Sequence, residues 1–184
     1  QARGWLDAPE RLHAVPDAPD FVNAQPGKRY GFDFERISFD SGFRPDAGLP
    51  GAERWTSLYA NQRATAWMLR HPGPTRPWLV CVHGYRMGET WMDFGLFRPQ
   101  FLHKRLGLNV LMPVLPLHGP RRVGRKSGDL YLDGDLLDLL FAQSQALWDL
   151  RRWLAWLSSN EDRPQIGVYG VSLGGYNAGL LTGY

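Results

Sequence analysis

Gly170–Gly174 reads Gly-Val-Ser-Leu-Gly and lies between an apolar run, Gln165–Tyr169, and a stretch with helical character, Gly175–Leu181. A serine between a buried strand and a helix sits on a sharp turn that raises its hydroxyl above the backbone, as in a nucleophile elbow. Glycines two positions before and after it remove side chains that would collide where strand and helix cross. The pattern predicts Ser172 as a nucleophile supported by these two glycines. The alternative is a glycine-rich turn whose serine caps a helix.

The composition is that of a globular protein. The 184 residues are 43% hydrophobic and 13% aromatic, with a formal net charge of +3. The excess of positive charge comes from arginine without a long basic tail, so nucleic acid is not expected as a partner. Cys81, the only cysteine, lies in an apolar run and is predicted to be a small core residue. No apolar run approaches the roughly 20 residues that span a bilayer. The composition assigns no oligomeric state, and a cytoplasmic location is favoured.

The first third of the chain predicts an arm followed by a pair of strands. Residues 1–28 are rich in proline and charge and are predicted to form an N-terminal arm, extended or with a short helix, before a core that spans residues 29–184. Alternating apolar residues from Tyr30 to Phe43 predict a strand, and Arg63–Leu69 predicts its antiparallel partner.

Strands and helices alternate from Leu79 onward. Leu79–Val82 and Asn109–Leu115 are almost wholly apolar, as expected for parallel strands that are buried on both faces. Leu136–Leu157 has leucines at helical spacing and is the clearest helix of the sequence. Together with the strand and helix around Ser172, this order predicts an α/β fold. We expect a doubly wound, mostly parallel sheet with helices on both faces and an antiparallel pair at its N-terminal end.

The loop after Leu79–Val82 is expected to lie beside Ser172, because functional groups in α/β sheets gather outside the carboxyl ends of the strands. This loop begins with His83-Gly84-Tyr85. The backbone N–H groups of Leu173 and Tyr85 are candidates for stabilising the negative charge on a carbonyl oxygen under attack. Gly84 would let the loop approach closely. The His83 side chain is interpreted as a group that fixes this loop rather than as a catalytic base.

The loop after Leu115 carries four cations: Arg121, Arg122, Arg125 and Lys126. Arg121 and Arg122 are possible contacts for an anionic part of a substrate. The alternative, which is favoured, is that these cations are solvated or paired with the acidic residues that follow, Asp129, Asp133, Asp135 and Asp138. The spacing of these aspartates does not match a calcium loop, and the sequence has no phosphate-binding loop. No metal and no cofactor are therefore expected.

From about Tyr30 to Tyr184 the chain resembles the α/β-hydrolase superfamily. The resemblance rests on His83-Gly84 after a strand, a second strand ending in proline-rich sequence, a long amphipathic helix, and Gly170–Gly175. Within the superfamily, Asn109–Arg122 is similar to a branch related to acetyl esterases and dienelactone hydrolases. The resemblance implies a Ser172 nucleophile, an acyl-enzyme intermediate, an oxyanion hole formed by the Leu173 and Tyr85 N–H groups, and a small-molecule ester or acyl substrate.

The rest of a catalytic triad is missing from the sequence. In this fold the acid and the histidine follow the serine along the chain. No Asp, Glu or His follows Ser172, and all five histidines precede it: His13, His71, His83, His103 and His118. We expect the chain to be the N-terminal portion of a longer enzyme whose acid and histidine lie beyond Tyr184, with a hydrolase-like protein lacking a triad as the alternative.

The expected function is that of a serine hydrolase that cleaves a carboxylic ester or thioester through Ser172. An acyltransferase of the same fold and a non-catalytic, hydrolase-like binding or scaffold protein are the competing hypotheses. The discriminating feature is a histidine within reach of Ser172 in the full protein.

Overall fold

A six-stranded mixed sheet forms the centre of the structure, a computed structural model that describes residues 13–183. The strands are β1 (Asn23–Arg29), β2 (Phe32–Asp40), β3 (Arg63–Leu69), β4 (Trp78–Val82), β5 (Asn109–Val114) and β6 (Ile166–Gly170). The α-helices of this part of the chain are α1 (Ala52–Thr56), α2 (Thr90–Phe97), α3 (Leu136–Asn160) and α4 (Leu173–Leu181). None of the helices within residues 13–183 combines the length and apolarity needed to cross a bilayer.

The strand order is β1-β2-β3-β5-β4-β6. β2 and β3 pair antiparallel, as the sequence predicts, and β1 and β5 extend this antiparallel part on either side. β4 is parallel to both β5 and β6. The carboxyl ends of these three parallel strands therefore meet at one edge of the sheet, where the loops that follow them lie side by side.

Helices pack against both faces of the sheet. Side chains alternate between the faces along each strand, so Val80 and Val82 of β4 join the core under α3, whereas Cys81 points to the core under α2. Trp153 anchors α3 in the first core, with its ring centre 4.4 Å from that of Phe39. A mixed α/β fold is therefore confirmed, and the doubly wound arrangement stays a prediction.

Cys81 is fully buried in β4. Desolvation raises the pKa of its thiol to about 12, with a further contribution from the nearby Asp93. Because the thiolate is the reactive form, this side chain is chemically inert at neutral pH. The prediction of a small core residue is confirmed.

β1 differs from the arm predicted for residues 1–28. Residues 1–12 lie outside the described part of the chain, but Asn23–Arg29 forms a strand that pairs with β2 along its whole length. The sequence does not predict this strand because it contains Pro26 and Gly27, which disfavour strands. Proline is tolerated because β1 is the edge strand. At Gly27 a Cβ atom would lie 2.8 Å from Phe34 Cε2 and closer still to Cζ, so the glycine makes room for that ring. The boundary predicted after residue 28 falls inside β1, which belongs to the sheet.

Candidate active site

Ser172 occupies the turn between β6 and α4. Its backbone angles are φ 54° and ψ −120°, which are strained for any residue that carries a side chain. The side chain is exposed. The turn is tied to the neighbouring strand because the Val171 N–H donates to the Val82 carbonyl oxygen at 3.2 Å. Strain of this kind persists only where the surrounding structure enforces it, and it is concentrated at functional sites.

Two glycines allow β6, α4 and the end of β4 to approach closely. A Cβ atom on Gly174 would lie 2.6 Å from the His83 carbonyl oxygen and closer still to that of Val82. A Cβ atom on Gly170 would lie 2.6 Å from the backbone nitrogen of Gly175. These neighbours are backbone atoms that cannot rotate away. The positions of Gly170 and Gly174 therefore exclude every other residue unless the turn itself shifts.

The loop after β4 runs beside Ser172. Gly84 is buried, and a Cβ atom on it would lie 3.4 Å from the Ser172 Cβ and 3.3 Å from the Val171 carbonyl oxygen. Among residues 13–183, neither the Tyr85 N–H nor the Leu173 N–H donates a hydrogen bond to another group. Ser172 and Gly84, which the sequence singles out, therefore lie side by side, and Leu173 and Tyr85 follow them directly in the chain.

His83 holds this loop in place. Its Nε2 accepts the Leu115 N–H at 3.0 Å, so the proton is on Nδ1, which donates to the Gly84 carbonyl oxygen at 2.8 Å. The ring is buried, and desolvation lowers its pKa to about 4. Both nitrogens are occupied and the imidazole is neutral at physiological pH. These contacts favour the interpretation of His83 as a residue that fixes the ends of β4 and β5.

Asp93 supports the same loop from the opposite side. Its carboxylate accepts the Gly88 N–H at 3.1 Å through Oδ1 and the Trp67 Nε1–H at 3.1 Å through Oδ2. The residue is fully buried, and desolvation raises its pKa to about 7 despite these two hydrogen bonds. Asp93 is not distinguished in the sequence, because an aspartate in the first turn of a helix is ordinarily solvent-exposed and stabilises the helix through its dipole.

We expect Asp93 to reduce stability as the pH rises from about 4 to about 7. The unfolded carboxyl titrates near its ordinary pKa of 3.8 and the folded one near 7, so the folded state binds more protons in this window. The free energy of unfolding then falls with rising pH, by on the order of 1.4 kcal/mol per unit of pKa difference. Asp93→Asn removes this dependence.

Urea unfolding of the wild type and of Asp93→Asn at several pH values measures this contribution, with Asp162→Asn, at an exposed position, as the control. His83 and His118 titrate in the opposite sense, since burial lowers the pKa of both. The difference between Asp93→Asn and the wild type therefore isolates the carboxyl group. A wild-type pH dependence that is unchanged in Asp93→Asn would contradict the assignment.

Arg121 does not present its charge to a ligand. It is 1% exposed, and its guanidinium donates to the Val114 carbonyl oxygen at 2.9 Å, the Asn61 carbonyl oxygen at 2.8 Å and the Asp149 carboxylate at 2.7 Å. This corrects the expectation that Arg121 contacts an anion: the buried carboxylate already neutralises it. Asp149 also accepts the Ser41 hydroxyl at 2.6 Å.

The contacts of Arg121 belong to a larger buried network that fixes the loop after β5. Gln145 of α3 accepts hydrogen bonds from Trp55 Nε1 at 2.8 Å and Asn61 Nδ2 at 2.9 Å. Asn61 Oδ1 in turn accepts the Leu117 N–H at 2.9 Å. Because the buried polar groups of this network find partners, it rigidifies the fold instead of weakening it.

The remaining charges pair differently from the pattern expected of the sequence. Arg122 is exposed and forms an ion pair with Glu89 at 2.9 Å. It stays a proposed contact for an anion, which would have to displace Glu89. The acidic residues that follow pair with cations from other parts of the chain: Asp129 and Asp133 with Arg86 of the loop after β4, and Asp135 and Asp138 with Arg54 of α1. Within residues 13–183, no cluster of three or more His, Cys, Asp or Glu side chains is arranged to hold a metal ion.

Comparison with known proteins relates the chain to longer relatives. No family model matches it. The chain is 49% identical over 180 residues to an uncharacterized protein of Mycobacterium tuberculosis strain CDC 1551 / Oshkosh. It is 48% identical to an uncharacterized protein of strain ATCC 25618 / H37Rv. Each match covers 98% of this chain and 43% of the relative. The chain thus spans less than half the length of these relatives.

Solved structures of esterases share the fold. One is a protein of Bacteroides fragilis NCTC 9343 assigned as an acetyl xylan esterase, with a TM-score of 0.63 at 17% identity over 98% of this chain and 49% of that chain. Another is the acetyl xylan esterase of Paenibacillus sp. R4, with a TM-score of 0.57 at 18% identity over 90% of this chain and 50% of that chain. At such low identity the likeness establishes a common fold with these hydrolases.

Proposed function

We propose that this chain is the N-terminal, nucleophile-bearing portion of a serine hydrolase that acts on a carboxylic ester or thioester. The observation that carries the proposal is an exposed serine in a strained turn that lies against Gly84, the residue before Tyr85. Within residues 13–183 the Tyr85 and Leu173 N–H groups have no hydrogen-bond partner. Gly170 and Gly174, where a side chain would overlap backbone atoms, maintain the strained turn.

The proposed reaction proceeds through an acyl-enzyme. Ser172 Oγ bonds to the carbonyl carbon of the substrate while a base takes the hydroxyl proton. The carbonyl oxygen becomes negative and accepts hydrogen bonds from the Tyr85 and Leu173 N–H groups. When the tetrahedral intermediate collapses, the bond to the leaving alcohol or thiol breaks, and the leaving group takes the proton. Water then releases the acid by the same steps.

The base comes, in this proposal, from outside this chain. His83 is engaged at both ring nitrogens. His118 donates from Nδ1 to the Pro116 carbonyl oxygen at 2.8 Å, and desolvation lowers its pKa to about 3. A general base works best when its pKa lies near the working pH, so neither imidazole suits the task. The longer relatives have room for an acid and a histidine elsewhere in their sequences.

A fluorophosphonate probe tests the proposal on the full-length protein. We expect covalent labelling at Ser172, located by mass spectrometry of the peptide that contains Gly170–Gly174, because the probe forms its adduct with an activated serine. Heat-denatured protein and Ser172→Ala should not be labelled. A folded wild-type protein that resists labelling would support the scaffold hypothesis instead.

The fold shared with acetyl xylan esterases suggests small acetyl esters, such as p-nitrophenyl acetate and acetylated sugars, as the first substrates to test. Adding an alcohol during turnover separates the two catalytic hypotheses. A hydrolase yields mainly the free acid, whereas an acyltransferase yields mainly the new ester.

A further inference from the structure

We propose that Arg86 is a positioning residue that holds the Tyr85 N–H in place at the oxyanion site. The inference rests on the proposed function, since it assigns a second part of the same site. Arg86 lies next to Tyr85 in the chain, and its side chain contacts the loop of residues 127–133.

The Arg86 side chain reaches three anchors on that loop. Its Nη1 donates to the Asp129 carboxylate and, at 3.2 Å, to the Ser127 carbonyl oxygen. Its Nη2 donates to Asp133 Oδ2 at 2.8 Å. The guanidinium carbon also lies 4.7 Å from the centre of the Tyr85 ring, within the range of a cation–π contact. One side chain therefore links the residue that carries the proposed donor to a separate loop.

The two carboxylates are themselves fixed. Asp129 Oδ2 accepts the Lys126 N–H at 2.9 Å, and Asp133 Oδ1 accepts the Leu130 N–H at 2.7 Å. An ordinary surface ion pair contributes little, because both partners must be ordered at an entropic cost. Here the acceptors are already held by their own backbone, and the guanidinium forms charge-assisted hydrogen bonds to both. Arg86 is thus bound to two carboxylates that are already held in place.

The backbone conformation of Arg86 is strained, so its side-chain contacts are needed to maintain it. Its φ is 68°, in the left-handed region that a non-glycine residue adopts at a cost of about 1 kcal/mol or more. Without its anchors, the peptide units on either side of Tyr85 are expected to relax toward commoner angles. The Tyr85 N–H would then turn away from the position that the substrate oxygen must occupy.

A second contact strengthens the same connection. Ser127 Oγ donates to the Met87 carbonyl oxygen and accepts the Gly119 N–H at 2.8 Å. The segment after Gly84 is therefore held by residues 127–133 on one side and by Asp93 on the other. Of these supports, Arg86 is the one adjacent to Tyr85 in sequence, so its loss should act most directly on the donor.

The test compares Arg86→Met with Arg54→Met in the full-length protein. Arg54 also bridges two aspartates, Asp135 and Asp138, and its ion pairs within residues 13–183 do not involve the loop after β4, so it is a matched control. Loss of a whole oxyanion donor reduces kcat by about 10²–10³, so a displaced donor should reduce it about 10- to 100-fold. KM for p-nitrophenyl acetate should change by less than about twofold, since the donor acts in the transition state. Arg54→Met should leave both constants within about twofold of wild type.

A trifluoromethyl ketone that forms a tetrahedral adduct with Ser172 provides a readout that a purely structural role would not move. Its inhibition constant should weaken in Arg86→Met by the same factor as kcat/KM, because the adduct resembles the transition state. Arg86→Lys, which can reach one carboxylate as a point charge, should fall between Met and wild type. Asp133→Asn removes one anchor of Arg86 at an exposed position, and it replaces Arg86→Met in the test if that variant does not fold. It should lower kcat with KM unchanged.

The outcomes separate this inference from the proposed function. A wild-type protein without Ser172-dependent turnover would overturn both. A wild-type protein with such turnover, together with folded Arg86→Met and Asp133→Asn that keep wild-type kcat and ketone affinity, would overturn the role of Arg86 alone.

Discussion

Replacing Ser172 by alanine is expected to reduce ester turnover by about 10⁴-fold or more, because the proposed acyl-enzyme cannot form without the hydroxyl. Hydrolysis of p-nitrophenyl acetate by the full-length protein measures the effect. Ser159→Ala, at an exposed position near the end of α3, is the control and should retain full activity. Turnover that survives in Ser172→Ala would place the nucleophile elsewhere.

The strained backbone of Ser172 makes glycine and alanine informative at the same position. Both variants lack the nucleophile, but only glycine relieves the strain at φ 54°. We expect Ser172→Gly to be more stable than Ser172→Ala by about 1–2 kcal/mol in urea unfolding. Equal stabilities would show that the turn relaxes without cost, so that strain at Ser172 would no longer support a functional role.

Replacing Gly174 by alanine is expected to destabilise the protein by about 3 kcal/mol or more, in the range of severe core defects. The added methyl group would overlap the backbone carbonyls of Val82 and His83, which are fixed by the pairing of β4 with its neighbours. The change would therefore separate α4 from β4 and disturb the turn at Ser172.

Gly179→Ala is the matched control for this substitution. It lies in the same helix, and a Cβ atom on it would meet nothing within 4 Å. Since alanine favours helix over glycine by about 1 kcal/mol, this variant should be as stable as wild type or slightly more stable. Thermal and urea unfolding compare the two. Similar losses at both positions would indicate that helix α4, rather than the close crossing, limits stability.

The parallel strands and the turn at Ser172 could be predicted because their signals are local. Leu79–Val82 and Asn109–Leu115 are apolar runs of strand length, and the structure has β4 and β5 within one residue of these bounds at each end. The spacing of glycines around Ser172 is likewise visible in the local sequence, even though a Cβ atom on Gly174 would meet Val82 and His83, which come from a distant part of the chain. In such segments, local sequence and tertiary packing favour the same conformation.

Features that depend on distant partners could not be predicted. β1 contains Pro26 and Gly27, residues that disfavour strands. It forms a strand because it pairs with β2 and because the Phe34 ring of β2 packs against Gly27. Arg121 is one of four cations in a short segment, and nothing in that cluster distinguishes the buried one. Its burial depends on Asp149 of α3, 28 positions later.

The same limit applies to the supports of the candidate site. Arg86 and Asp93 were missed because their partners, on the loop of residues 127–133 and at Trp67, come from elements that no local pattern connects to them. Ser172 and Gly84 could be expected to lie close together because the ends of parallel strands meet at one edge of the sheet. The roles of the Tyr85 and Leu173 N–H groups stay predictions.

The hydrogen bonds around Arg121 also set an order of events during synthesis of the chain. The Ser41 hydroxyl and the Asp149 carboxylate that accepts its hydrogen bond are 108 positions apart. A ribosome releases the N-terminal strands first, so Ser41 and Asn61 leave the exit tunnel long before α3 can supply Gln145 and Asp149. The native contacts that hold the loop after β5 therefore require α3, and this loop cannot take its final place until Leu136–Asn160 has been synthesised.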